Sequence, residues 1–81
     1  MKISVLAFGI AREVFNTSRL EIDLPEKDAT VDGLRKRIEA AFPRMMKLAS
    51  YMIAVNNEYA SGDDRINEND EIAVIPPVSG G

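Results

Sequence analysis

The sequence predicts an α+β domain, a mixed sheet with one main helix across one face, on three observations. Residues 19–24 alternate apolar and polar with a period of two, as a strand with one wet face does. Val31, Leu34, Ile38 and Phe42 recur at spacings of three and four, the stripe of an amphipathic helix. Dense apolar runs at 2–8 and 71–75 read as strands buried on both faces. The chain has 81 residues, enough for one domain. At roughly 60–80 residues only about 60% of the unfolded surface is buried on folding, so the fold must be compact and nearly loop-free.

Lys2 to Phe8 (KISVLAF) is rich in strand formers, and Gly9 ends it. Ile10 to Phe15 fits one helical turn, and Asn16-Thr17-Ser18 is a turn cluster. Arg19 to Leu24 places Leu20, Ile22 and Leu24 on one face and Arg19, Glu21 and Asp23 on the other, and Pro25 closes the strand. In the helix Thr30 is the expected N-cap, Asp32 suits the positive helix start, and Pro43 marks the stop. Gly33 reads as a blemish costing about 1 kcal/mol relative to Ala. Arg35, Lys36 and Arg37 lie off the apolar stripe and read as a solvated face.

Arg44 to Ser50 adds a further short helical turn. Tyr51 to Val55 is a strand, Asn56-Asn57 a tight turn, and Glu58 to Ala60 a short return strand. Ser61 to Asp64 is a loop, Glu68-Asn69-Asp70 a turn, and Glu71 to Ile75 the last strand. Two hairpins around one helix pack most economically with the helix stripe on one face of the sheet. The first and last strands, the most apolar, then lie side by side at its centre. This is a β-grasp, or ubiquitin-like, architecture over residues 1–75, with a flexible tail at 76–81. A ferredoxin-type sandwich would need a second full-length helix, for which only fragments exist.

Composition narrows the chemistry. The chain has no Cys, His or Trp, so disulfides, zinc sites, thiolate nucleophiles and His-based triads are out of reach, and no metal ligand set can be assigned. A net charge of −3 argues against nucleic acid. No run approaches the roughly 20 apolar residues of a membrane span, and no signal peptide opens the sequence. The expectation is a cytoplasmic domain that is not an enzyme by itself.

The most informative stretch is Pro76-Pro77-Val78-Ser79-Gly80-Gly81. Two prolines stop the strand and project a stiff stem; two glycines without side chains follow, slim enough to thread a narrow tunnel in another protein. An α-carboxyl group is ionised at neutral pH and is a poor electrophile, so Gly81 would need activation, most simply as an acyl-adenylate made from ATP by a separate enzyme. Attack by sulfide or persulfide would then give a thiocarboxylate; attack by a lysine amine would give an isopeptide. Near the stem, alternation leaves Leu6, Phe8 and Ile75 on the face away from the helix, where Tyr59 can join them as a partner surface. Arg12 and the acids Asp63, Asp64, Glu68, Asp70 and Glu71 read as solvated turn residues able to steer a basic partner.

The segments KISVLAFGIAREV, DATVDGLRKRI, NDEIAVIPPV and the final VSGG resemble the small subunits of molybdopterin synthase, a family of ubiquitin-like sulfur carriers, over essentially the whole chain. The resemblance implies that an E1-like enzyme adenylates Gly81 and that sulfur transfer makes it a thiocarboxylate. The large catalytic subunit then receives the tail. There the carrier gives sulfur to cyclic pyranopterin monophosphate, and two such donations build the dithiolene. It further implies a heterotetramer, catalytic side chains on the large subunit, and no cofactor bound by this chain, ATP being used by the activating enzyme. Residue by residue, Gly81 matches the acyl group, Gly80 its slim neighbour, and Phe8, Tyr59 and Ile75 the surface that meets both partners. Three rival readings stand beside it. They are a carrier for another pathway such as thiamine thiazole synthesis, a modifier joined through Gly81 to lysines, and a binding module with an inert tail.

Overall fold

The computed structural model describes residues 1–48 and 51–76. Its elements are β1 (Lys2–Ala7), α1 (Ile10–Phe15), β2 (Arg19–Asp23), α2 (Val31–Ala41), β3 (Met52–Val55), β4 (Glu58–Tyr59) and β5 (Ile72–Ile75). Two 3-10 turns, Glu26–Asp28 and Pro43–Lys47, flank α2. The described strands form one mixed sheet in the order β2-β1-β5-β3-β4. β1 and β5 run parallel side by side, while the β1–β2 and β3–β4 pairs are antiparallel hairpins. This is the expected β-grasp, with the first and last strands adjacent in the interior of the sheet.

The two periodicities meet in one core. Ile3, Val5, Ile22, Ile53, Ile72 and Val74 from the sheet and Val31, Leu34 and Ile38 from α2 are all buried in a single cluster. Thr30 caps α2, its hydroxyl accepting from the Gly33 amide at 3.1 Å. Gly33 is not a blemish. A β-carbon there would run into the Asp28 carbonyl oxygen, so glycine lets the 3-10 turn lie against the helix start. The following loop is stitched to the same end: Ile66 N donates to Ala29 O at 2.9 Å and Val31 N to Asp64 O at 3.0 Å.

Several strand ends fall a residue inside the expected limits. The Ala7 amide still donates to Ser18 O at 2.9 Å, and two residues later Gly9 turns the chain with φ of 54°. Tyr51 precedes β3 because its carbonyl accepts from Arg35 Nη1 at 3.3 Å instead of a strand partner. That contact corrects the reading of Arg35. Its guanidinium lies 4.5 Å from the centre of the Tyr51 ring, and the phenol of this buried tyrosine donates to Glu39 Oε2 at 2.7 Å. Arg35 and Glu39 therefore tie α2 to the start of β3. Burial first, and then the Glu39 carboxylate, push the Tyr51 phenol well above its usual pKa.

Candidate functional site

The alternation that buries Ile72 and Val74 turns Ala73 and Ile75 to the opposite face of β5. Register continues this face across the sheet: Leu6 pairs with Ala73, Ala73 with Ala54, and Ala54 with Tyr59. One row therefore crosses four strands, with small residues in the middle and large ones at both ends. The next row toward the tail sets Met52 opposite Ile75, with Phe8 just beyond the end of β1. Among the described residues no helix covers this face: Phe8 is 46% exposed, Met52 43% and Tyr59 67%.

Between these side chains lies a depression of about 340 Å³, walled by Leu6, Phe8, Tyr59 and Ile75 and floored by Ala54 and Ala73. Asn57 and Glu71 also line it. The β3–β4 turn positions Asn57, since Asn56 and Asn57 both have positive φ (53° and 70°), as a two-residue type I′ connection requires. Asn56 anchors the turn to β5 by donating its amide to Glu71 O at 2.8 Å and accepting from Glu71 N at 2.9 Å.

The structure thus brings Phe8, Tyr59 and Ile75 to one face, beside the root of the tail. Pro76 stands at that root, half-buried against Gly9. Pro77, Ser79, Gly80 and Gly81 lie outside the described residues. Met52 and the floor residues Ala54 and Ala73 were not picked out from sequence. The signal was there: Ile53 and Val55 facing the core oblige Met52 and Ala54 to face away. Asp64 and Asp70 are turn residues, as read from sequence. Asp64 accepts from Ser61 N at 2.9 Å and Asp70 from Asn67 N at 2.8 Å. Arg12, Asp63, Glu68 and Glu71 are exposed. No helix among the described residues is long and apolar enough to cross a membrane.

Comparison with known proteins agrees with this architecture. The model of the ThiS family matches residues 5–81. The chain is 40% identical over 83 residues to the molybdopterin synthase sulfur carrier subunit of Dictyostelium discoideum, covering 99% of this chain and 96% of that one. A solved structure from Pyrococcus furiosus, assigned as subunit 1 of a molybdopterin converting factor, superposes with a TM-score of 0.86 at 30% identity, covering 96% of this chain and 99% of that one. A chain from the complex of subunits 1 and 2 of the molybdopterin-converting factor of Helicobacter pylori shares the fold with a TM-score of 0.68 at 22% identity, each chain covered fully. The chain belongs to the ThiS family, alongside the molybdopterin synthase sulfur carrier subunits.

Proposed function

We propose that this chain is the sulfur-donating subunit of a molybdopterin synthase, with Gly81 as the residue that carries sulfur. The observation that supports it most is the extent of the likeness. The family match runs through residue 81 and so includes the slim PPVSGG tail, whose root adjoins an uncovered apolar face.

In this reading the Gly81 carboxylate attacks the α-phosphorus of ATP on an E1-like enzyme, forming an acyl-adenylate and releasing pyrophosphate. Sulfide then displaces AMP, a C–S bond forming as the C–O bond to AMP breaks, and a thiocarboxylate remains. The face bearing Phe8, Tyr59 and Ile75 docks on the large subunit while Gly80 and Gly81 enter its active site. The thiocarboxylate sulfur attacks a carbon of cyclic pyranopterin monophosphate, a C–S bond forming as a C–O bond at that carbon breaks and the oxygen leaves with its electron pair; water then cleaves the acyl–sulfur bond and restores the carboxylate. Two charged carriers supply the two sulfurs of the dithiolene, which suits a heterotetramer of two carriers and two large subunits. The catalytic side chains belong to the large subunit, this chain binds no cofactor, and the dependence on ATP fits a cytoplasmic reaction.

The test is thiol-directed alkylation with intact-mass readout on protein co-expressed with its activating enzyme. A chain without Cys has no other thiol, so the probe avoids the confusion of sulfur gain with oxidation of one of the four Met. Labelling that maps to Gly81 and vanishes when Gly81 is deleted is the expected result. No labelling beside an active adenylating enzyme would sink the sulfur reading, and conjugates to lysine in its place would make the chain a protein modifier.

A further inference from the structure

The sheet-face depression has a chemistry of its own, and it names the side chain that fills it. Its middle is floored by Ala54 and Ala73, so the sheet surface is low where the neighbouring rows carry large side chains. The volume of about 340 Å³ suits one long side chain and its surroundings, not a helix of roughly 10–12 Å diameter. One wall is the ring of Tyr59, which is 67% exposed and offers a face for stacking. The charged residue that lines the depression is Glu71, with its carboxylate, and Asn57 lines it as well. Among the described residues no hydrogen bond or ion pair engages that carboxylate.

An apolar floor, an aromatic wall and an unpaired carboxylate with an amide at the rim match a group that is apolar along its stem and cationic at its end. Both basic side chains have such stems. Only arginine ends in a planar fork that stacks on an aromatic ring and donates to a carboxylate and an amide oxygen together. We infer that the depression between Tyr59 and Ile75 receives an arginine of the large synthase subunit, with Glu71 as its counter-ion. The inference rests on the function proposed above and adds the chemistry by which the partner is recognised. Arginine is also, with tryptophan and tyrosine, enriched among the side chains that dominate the energetics of interfaces.

The experiment is titration calorimetry of the full chain with the large subunit from the same source, at low and high salt, using Glu71→Gln, Ala73→Leu and Glu71→Arg. Glu71→Gln keeps shape and leaves the backbone contacts of residue 71 intact, so folding is not at issue; affinity is expected to fall roughly 10- to 30-fold at low salt and less at high salt. Ala73→Leu fills the floor and is expected to weaken binding at least about tenfold, with circular dichroism and Tm verifying the fold. Glu71→Arg is expected to abolish binding, and one arginine-to-glutamate change on the large subunit to restore it. Binding of Glu71→Gln and Ala73→Leu within about twofold of the unsubstituted chain would overturn the arginine while leaving the sulfur-carrier reading standing. Failure of the unsubstituted chain to bind the large subunit would overturn both.

Discussion

Pro76 packs against Gly9, with its Cγ 3.1 Å from the point that a β-carbon on residue 9 would occupy. Gly9 also has φ of 54° and ψ of −132°, a conformation that side chains disfavour. The loop after β1 and the root of the tail therefore fit together because residue 9 has no side chain. Gly9→Ala is expected to cost about 1–3 kcal/mol through backbone strain, with further displacement of the Pro76 ring. Urea denaturation measures the first effect. If the ring contact aims the tail, the rate of thiocarboxylate formation at Gly81 falls as well, with affinity for the activating enzyme nearly unchanged.

Gly33→Ala reverses the usual expectation for a helix. Such a change in an open helix interior is worth up to about 1 kcal/mol of added stability. Here the new methyl group meets the Asp28 carbonyl and must push the Glu26–Asp28 turn away. A loss of about 1–3 kcal/mol is expected, as for an overpacked site. A higher Tm would contradict the contact.

Tyr51 makes stability sensitive to alkali. Its pKa lies near 10 in the unfolded chain and higher in the folded one, so the folded state holds the proton longer. The stabilisation is complete below about pH 10 and declines above it, where the unfolded chain releases its proton first. Denaturation of Tyr51→Phe against pH checks this. The variant is expected to lose about 1–2 kcal/mol at neutral pH, from the missing bond to Glu39, and to show a weaker decline above about pH 10.

Phe8→Ala and Tyr59→Ala separate docking from folding. Both side chains are exposed, at 46% and 67%, so stability is expected to change by no more than about 0.5–1 kcal/mol. Affinity for the large subunit is expected to fall by about one to two orders of magnitude. A fall in Tm of many degrees without loss of affinity would show the two rings to be structural.

Much of the fold could be read from periodicity, because burial on one side stamps its period on the chain. Leu20, Ile22 and Leu24 and the 31–42 stripe marked their elements, and Thr30 marked the helix start. Phe8 and Ile75 were legible as outward residues by the same alternation. Arg35 and Gly33 were misread because their roles depend on neighbours distant in sequence or on close backbone approach, Tyr51 lying 16 residues away. Ile66 went unnoticed in a stretch with no regular period, and the short turn that holds Met45 gave no sign that this side chain is buried.

By itself the sequence determined the element order, the helix face turned to the sheet, and a glycine-ended tail free of nucleophilic side chains other than Ser79. Those properties are local: propensity, periodicity and residue chemistry act within a few positions of one another. Only the tertiary structure decided that Leu6, Ala73, Ala54 and Tyr59 form one row, that Glu71 and Asn57 stand at its rim, and that Pro76 rests on Gly9. Strand register sets these relationships, and it follows from pairing between segments up to about seventy residues apart, which no local pattern encodes.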